Sequence, residues 1–523
     1  MPRADRVPAL LSCGLILVLG FDQGGYAPAS WVWSAALLAV CAGVLVLGRP
    51  SRPTALELAF LAALLALLGW TLLSSLWSLD PTASVLEAER LLLYLATAAV
   101  LVLLGRPSAR GAMLLGVLAA VAALCLAGLG DVLVGDDPVG AVTADPGSEN
   151  RLSGPVGYAN ALALLAAMGV LLAVGLAAAV DRLVVRVACL ALVPPLLATL
   201  YFTYSRGGWL AFAVGLVAAL GIRMRAIDRR LAVALGVAAL LAVAIAGTAV
   251  VRSFSSPTAT PAVGSARLLT LSGSSRSDYW RIAWQDVEDH PVVGSGAGSY
   301  RRYWLRHRPV PQPARDAHSL YLETLAELGP VGLALLLVAL GLPLAVARAR
   351  DPLTSAALGP YVAYLAHAAQ DWDWELPAVT VVAIACAAAL LSARRRERQL
   401  AQPARLAAGA VALVLAAAVL AAYAGNRELA VAESGSERSA RRAARLQPWS
   451  SEPWRLLGEA RLARGEVSGA RTAFLEGLER DDGDWELWLD LALASDGTER
   501  ERALQQARKL NPRDPAPAEV AAG

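Results

Sequence analysis

The apolar residues of this chain are gathered into runs about as long as a membrane is thick. A transmembrane helix needs roughly twenty mainly apolar residues. Segments that meet this requirement or approach it fall near 7–22, 31–48, 56–76, 87–105, 111–134, 158–180, 183–203, 208–222, 231–251, 328–346, 353–370, 377–393 and 405–424. The pattern predicts an all-α protein in which residues 1–426 form a multi-pass membrane helix bundle of about 13 transmembrane helices.

The placement of arginines predicts how this bundle is oriented. Cytoplasmic loops of membrane proteins carry an excess of positive charge. When alternate loops are assigned to opposite sides, nearly all loop arginines share the side of the N-terminus, and the short loops opposite hold Arg151 and Arg206. We therefore expect a protein of the cell (inner) membrane with a cytoplasmic N-terminus. The odd number of spans places the C-terminal domain outside, and segment 252–318 becomes a large extracytoplasmic loop.

Composition agrees with a surface that faces lipid. Of the 523 residues, 57% are hydrophobic and 17% are charged, whereas a typical soluble domain has about 25% charged residues. The net charge of +3 is too small to indicate a nucleic-acid partner. The five cysteines are scattered through apolar runs and suggest neither disulfides nor a metal site. We expect no metal and no cofactor.

Residues 427–523 form a different domain. They are rich in arginine and show self-similarity with a period of 34 residues, which is the period of tetratricopeptide (TPR) repeats. Trp454, Leu457 and Gly458 recur as Trp488, Leu491 and Ala492. The sequence predicts an extracytoplasmic α-solenoid, TPR-like in its helix pairs. Such a tail could hold a protein partner, although repeat folds alone do not specify one.

Aromatic residues are concentrated in the predicted outer loop. Residues 278–290 have the pattern of an amphipathic helix with Tyr279, Ile282, Ala283 and Val287 along one side. The aromatic side chains in and after this helix are typical of a membrane-interface belt, with a substrate platform as the alternative. They are Trp280, Trp284, Tyr300, Tyr303 and Trp304.

Three further features of this region have structural interpretations. The glycine run 294–298 lacks the βαβ context of a dinucleotide site and predicts a tight turn. Glu327, close to Gly329 at a predicted helix entry, is expected to be structural. His367 lies inside an apolar run and is expected to be a packed, hydrogen-bonded residue.

The charged residues predicted at the outer face define the candidate chemistry. They are Arg151, Arg206, Arg276, Arg281 and His318. Arginine suits pyrophosphate because its planar fork donates paired hydrogen bonds and keeps its charge. Histidine can take a proton from a hydroxyl near neutral pH. Any single arginine could equally be an interfacial residue whose charge reaches the headgroups, and a lone loop histidine a surface residue.

Four segments, in order, resemble the O-antigen ligase and polymerase superfamily. They are RLSGPVGYANALA, YSRGGWLA, DHPVVGSGAGSY and AHSLYLETLAELGPVGLALL, which together cover roughly residues 150–340. The helix number and the late outer loop also suit this family, some members of which carry an appended repeat domain. One departure is Ser319, where the family often has asparagine.

The resemblance implies a metal-independent membrane glycosyltransferase that uses a polyprenyl-pyrophosphate-linked glycan. His318 matches the family's catalytic histidine, a general base on an acceptor hydroxyl. Arg206 and Arg276 match the arginines that hold the donor pyrophosphate. Arg151, Tyr158 and Asn160 match a motif whose role is less defined, and Arg281 is a further candidate because of its position in the outer loop.

The acceptor is left open by the sequence. A glycan ligase, a polysaccharide polymerase and a protein O-oligosaccharyltransferase would share donor and mechanism. Two other classes also stay open. A secondary transporter of glycan or lipid would show paired broken helices in two halves, and a scaffold would work through its TPR-like tail alone.

Overall fold

The computed structural model describes residues 3–48, 53–134, 151–223, 276–346, 351–394 and 401–522. Within these ranges the regular structure is helical and contains no β-strand, so the predicted all-α class is confirmed. The first nine helices are α1 (Arg3–Phe21), α2 (Pro28–Leu47), α3 (Ala55–Ser74), α4 (Pro81–Leu104), α5 (Arg110–Val134), α6 (Ala159–Ala179), α7 (Leu183–Ala191), α8 (Val193–Phe202) and α9 (Arg206–Arg223).

Six helices follow between residue 276 and the tail. Two are short and lie in the predicted outer loop, and four belong to the apolar part of the chain. They are α10 (Arg276–Asp289), α11 (Tyr300–His307), α12 (Leu320–Gly341), α13 (Pro352–His367), α14 (Pro377–Leu391) and α15 (Gln402–Ala432). The tail consists of α16 (Glu437–Leu446), α17 (Glu452–Leu462), α18 (Val467–Leu478), α19 (Trp485–Leu493), α20 (Gly497–Leu510) and α21 (Ala516–Ala522).

Seven helical segments in the described ranges are long and apolar enough to cross a membrane, and three shorter apolar helices accompany them. The chain is therefore a multi-pass membrane protein. The predicted span at 231–251 lies outside the described residues, so the number of about 13 stays a prediction. The span predicted at 183–203 is divided into α7 and α8 just before Pro194 and Pro195, because a proline removes a backbone donor and crowds the preceding turn.

Helices α6 and α14 form the centre of the bundle. Nearly all their side chains are buried, and α6 packs against α5, α8, α9 and α13. Small residues allow the close approach of these helices. A Cβ atom on Gly175 would lie only 2.5 Å from the Cα of Ala356. An alanine at position 175 would therefore push α6 and α13 apart.

Helices α10 and α11 form a small layer with its own core. Ile282, Ala283, Tyr300, Tyr303 and Trp304 are all buried there, so the predicted amphipathic helix is confirmed. The belt interpretation was wrong for the three aromatics of α11, which face protein rather than a membrane interface. Among the large hydrophobic side chains of α10, Trp284 is the exposed one, with 53% of its surface accessible.

The glycine run between these two helices makes the tight turn that the sequence predicts. Gly294, Gly296 and Gly298 have φ values of 75°, 100° and 70°, which favour glycine because it has no Cβ. The carboxylate of Glu327 in α12 accepts hydrogen bonds of 2.8 Å from the backbone N–H groups of Gly298 and Tyr300. Glu327 is thus structural, as predicted, because it ties the turn to α12.

The tail packs as successive helix pairs, α17 with α18 and α19 with α20. Gly458 in α17 lies against the ring of Phe474 in α18, which a Cβ at position 458 would approach to 2.3 Å. This contact joins two residues that the predicted repeat places in facing helices. The helical tail is confirmed, and its assignment to the TPR class stays a prediction.

Arg302 of α11 connects the tail to the rest of the protein. Its guanidinium donates to the backbone carbonyl of Leu79 (2.8 Å), contacts Asp80 (2.8 Å) and pairs with both carboxylate oxygens of Asp481. A second contact lies nearby, where Arg308 donates to Asn511 at 2.9 Å. The loop after α3, the layer of α10 and α11 (called the outer layer below) and the tail therefore meet at one partly buried arginine.

Candidate active site

Asp371 is the centre on which most of the predicted site residues converge. It lies in the connection between α13 and α14, and its side chain is 1% exposed. Its carboxylate accepts hydrogen bonds from Arg276 (2.6 Å), the amide of Asn160 (2.7 Å) and the hydroxyl of Tyr158 (2.8 Å). The starts of α6 and α10 are thereby joined to the connection between α13 and α14 at one anion.

The electrostatics of this anion are decided by its neighbours. Burial alone would raise the pKa of Asp371, but the positive charge of Arg276, followed by the neighbouring histidines and the hydrogen bond from Tyr158, lowers it to about 2. The carboxylate is consequently ionised at neutral pH. It holds the Arg276 guanidinium at the start of α10, where the outer layer meets the membrane bundle.

Arg151 is connected to Asp371 through the side chain of Asn160. It is buried, its Nε donates to the backbone carbonyl of Thr203 at 2.8 Å, and its guanidinium also donates to the side-chain oxygen of Asn160. The amide of Asn160 is thus oriented with its oxygen toward Arg151 and its nitrogen toward Asp371. Arg151 is therefore linked to Asp371 through Asn160.

His318 lies just before α12 with its backbone in the left-handed region, at φ 56°. Its Nδ1 lies 3.1 Å from the backbone carbonyl of Asp316. Since a carbonyl can only accept, Nδ1 carries the proton and the lone pair of the neutral ring is on Nε2. The imidazole stacks on Tyr279 of α10, with 4.9 Å between ring centroids. The ring is thus held in one tautomer and one orientation.

The pKa of His318 is also set by its surroundings. Burial lowers it below the ordinary value of 6.5, and the charge of Arg276 adds to this effect, while the charge of Asp371 opposes it. The histidine is therefore neutral at pH 7 and able to accept a proton. The carboxylate of Asp371 stabilises the imidazolium that such a transfer produces.

Two other predicted residues occupy different positions. Arg206 begins α9, and its neighbour Gly207 lies against His367 and Gln370, so Arg206 is carried to the edge of the segment that holds Asp371. Arg281 lies apart from the cluster. Its side chain is 63% exposed and pairs with Asp278 at 2.6 Å, so the structure does not bring it to the site. His367 is fully buried and its Nδ1 contacts Asp373 at 3.0 Å, which confirms a packed, hydrogen-bonded residue.

The sequence analysis missed Asp371 and the stacking role of Tyr279. Asp371 belongs to the acidic stretch QDWDWE, which separates two predicted spans on the outer side. Ionisable residues at membrane boundaries mark functional sites. The same rule that selected the arginines and His318 also applies to carboxylates, so it would have identified the acidic residues of this stretch.

A group of carboxylates in the same region could hold a metal ion. Among the described residues, Asp316, Glu323 and Glu375 are all buried and place carboxylate oxygens within 4.8 Å of one another. Arginines already neutralise part of this charge, since Arg90 donates to Glu375 at 2.8 Å. Burial and the neighbouring Glu375 raise the pKa of Asp316 well above its ordinary value. A hydrogen bond between Asp316 and Glu375 accompanies these opposite shifts, since the pKa of Glu375 is lowered.

Comparison with known proteins bears directly on this arrangement. A family model described as O-antigen ligase matches residues 190–337. The chain carries an O-antigen ligase domain. The match confirms the predicted resemblance to this superfamily, and it supports a membrane glycosyltransferase-like function of the ligase or polymerase kind with a lipid-linked glycan as the general class of substrate. No curated protein matches the chain.

The O-antigen ligase domain contains only part of the site. Arg206, Arg276 and His318 lie inside the matched segment, as does Tyr279. Asp371 follows it, and the motif from Arg151 to Asn160 precedes it. The cluster is therefore completed by residues on both sides of the matched segment.

Proposed function

We propose that this protein transfers a glycan from a polyprenyl-pyrophosphate donor to an acceptor hydroxyl at the outer face of the cell (inner) membrane. The observation that carries this proposal is the neutral His318, with its Nε2 lone pair available, in the electrostatic field of the ion pair between Asp371 and Arg276. A base and a cation sit together, as attack on a glycosyl pyrophosphate requires.

The reaction has one bond formed and one broken. The acceptor oxygen attacks the anomeric carbon of the donor sugar while Nε2 of His318 takes the hydroxyl proton. The bond from the anomeric carbon to the phosphate oxygen breaks, and the polyprenyl pyrophosphate leaves with the bonding electrons. Arg276 and Arg206 stabilise the charge that develops on this leaving group, and His318 then returns its proton to water.

Asp371 is a positioning residue in this scheme. Its carboxylate holds Arg276 at 2.6 Å, so the guanidinium is oriented before the donor arrives. Pre-organised charge is effective because no reorganisation is needed during the reaction. The same carboxylate favours the imidazolium form of His318 once the proton has been taken.

The reaction as proposed needs no metal. The two arginines supply the positive charge that a divalent ion would otherwise bring to a pyrophosphate. The arginine distribution of the loops supports a cytoplasmic N-terminus and an extracytoplasmic tail. The TPR-like tail is proposed to bind either a protein acceptor or an assembly partner.

The experiment that tests the function uses the position of His318 in the left-handed region. Asparagine tolerates a positive φ better than most residues, so His318→Asn removes the base with little backbone strain. A strain that lacks the gene is complemented with wild type, His318→Asn or His307→Ala at matched membrane abundance. His307 is a matched control, because it lies in the same layer and its ring contacts Tyr303 rather than the Asp371 cluster.

We expect His318→Asn to accumulate lipid-linked glycan and to make no polymer or conjugate, while His307→Ala behaves as wild type. Full activity of His318→Asn would overturn the assignment of the base. If the variant also fails to move lipid-linked glycan across the membrane, transport becomes the better explanation. If only changes in the tail surface abolish function, the scaffold explanation gains support.

A further inference from the structure

Three aromatic rings from distant parts of the chain meet beside Asp371. Tyr26 comes from the connection between α1 and α2, Tyr158 precedes α6, and Trp372 follows Asp371 directly. The ring centroids of Tyr158 and Trp372 are 4.6 Å apart at 33°, and those of Tyr26 and Trp372 are 5.6 Å apart at 69°. We call these three residues the aromatic step.

The aromatic step is continuous with the active site. The Tyr158 hydroxyl donates to Asp371 at 2.8 Å, and the backbone N–H of Trp372 donates to the same carboxylate at 3.0 Å. The rings are therefore fixed relative to the anion that holds Arg276.

Polar groups border the aromatic step. The Arg315 guanidinium lies 5.3 Å from the centre of the Tyr26 ring and donates to the Tyr26 hydroxyl at 2.9 Å. The side chain of Arg315 is 43% exposed, and the exposed Gln23 lies next to Gly157 at the other edge. Half-buried rings with a rim of accessible donors and acceptors are thus presented at the outer face.

This combination differs from a membrane-interface belt. Belt residues contact headgroups singly, whereas these rings pack on one another, and the Tyr158 hydroxyl donates to a buried carboxylate of the site. A pyranose ring has a C–H face that packs on aromatic rings and a rim of hydroxyls that hydrogen-bond to polar groups. Sites built from aromatic walls and a few fixed polar groups are the ordinary form of small-ligand pockets.

We propose that the aromatic step is a subsite for a pyranose ring of the glycan substrate, with Arg315 and Gln23 as hydrogen-bonding partners for its hydroxyls. The proposal rests on the proposed function, since it names how that same site holds sugar. The adjacent Asp371–Arg276 pair favours the donor sugar next to the pyrophosphate. A sugar of the acceptor would have the same chemistry, and the experiment distinguishes the two.

The test separates sugar binding from pyrophosphate binding. Purified Trp372→Ala and Tyr26→Ala are assayed for the KM of the lipid-linked glycan that the gene-deleted strain accumulates, and for the KM of the acceptor. Sugar-free undecaprenyl pyrophosphate is then used as an inhibitor. Neither change removes a side chain that bonds Asp371, because Trp372 reaches it through its backbone. Trp284→Ala is the control, since Trp284 is exposed on α10 and its indole N–H donates to Glu288 of the same helix.

We expect each variant to raise the donor KM about tenfold, to leave inhibition by undecaprenyl pyrophosphate unchanged, and to recover partly in Trp372→Phe. A raised acceptor KM instead would assign the same pyranose subsite to the acceptor. The proposal is overturned if inhibition by undecaprenyl pyrophosphate weakens as much as the donor KM rises, because the rings would then bind the pyrophosphate and not the sugar. Unchanged KM values for both substrates would also overturn it. Absence of transfer in the wild type would instead remove the proposed function.

Discussion

Arg276 and Asp371 form an ion pair of 2.6 Å between the first residue of α10 and the connection that follows α13. The pair joins the outer layer to the membrane bundle at the point where His318 lies. The two members of the pair differ in exposure, since the arginine side chain is 25% exposed and the aspartate side chain 1%. The anion is therefore the fixed member, and the cation is the one that substrate can reach.

Replacing the fixed anion should impair catalysis while the fold is kept. Asp371→Asn retains the size of the side chain and removes the charge that orients Arg276. We expect kcat/KM for transfer to fall about 100-fold, the scale on which a lost charge-stabilising group acts. Steady-state kinetics in proteoliposomes measure this effect. Asp278→Asn is the matched control, because Asp278 pairs with the exposed Arg281 on the same outer layer; an equal loss in that variant would contradict a specific role for Asp371.

The pH dependence should report His318. Transfer requires the neutral ring, and burial lowers its pKa below 6.5. Activity should therefore be constant above that value and decline only as the pH falls through the lowered pKa. In Asp371→Asn the opposing charge is lost, so the acid limb of the profile should move to still lower pH. An acid limb that stays in place would show that another group limits the reaction.

Chelation should leave activity unchanged. We expect transfer in EDTA to equal transfer in Mg²⁺ or Ca²⁺, because the proposed mechanism uses guanidinium groups where a metal would act. Activity that is lost in EDTA and restored by one of these ions would point to Asp316, Glu323 and Glu375 as its ligands. In that case Glu375→Gln should increase the concentration of ion required.

The attachment of the tail should depend on Arg302. In Arg302→Ala the buried Asp481 and its neighbour Asp80 lose their cation, and such a loss destabilises by roughly 3–5 kcal/mol. We expect protease sites near residue 480 to open and hydrogen exchange in α19 to accelerate. Arg306→Ala, at an exposed position of the same helix, should leave both unchanged. Equal protection in the two variants would contradict a structural role for Arg302.

Motifs in the sequence identified most of the candidate site, since Arg151, Tyr158, Asn160 and Arg276 all lie on one network. What joins them could not be predicted, because Asp371 follows in a separate connection more than ninety residues after Arg276. Local patterns identify which residues suit a chemistry, but long-range pairing depends on how the helices pack. Arg281 is the opposite case. Its position in the outer loop made it a candidate for the site, but its side chain on α10 is exposed to solvent.

The fold, like the site, could be predicted from the sequence only where it depends on residues close together along the chain. Apolar runs predicted helices, and the 3.6-residue pattern predicted α10, because both depend only on neighbours along the chain. The burial of Tyr300, Tyr303 and Trp304 depends instead on α10 covering α11. An aromatic residue in an outer loop looks the same in sequence whether it meets lipid or protein.

The buried contacts of Arg302 mean that the tail is not an interchangeable module. One guanidinium contacts the carbonyl of Leu79 and the carboxylates of Asp80 and Asp481. A chain without the tail would therefore leave this arginine without its partner Asp481. Recombination that exchanged tails between related enzymes would have to preserve the contacts of this arginine with all three residues. The membrane body and its tail are therefore expected to be inherited as a pair, with compensating changes at these positions.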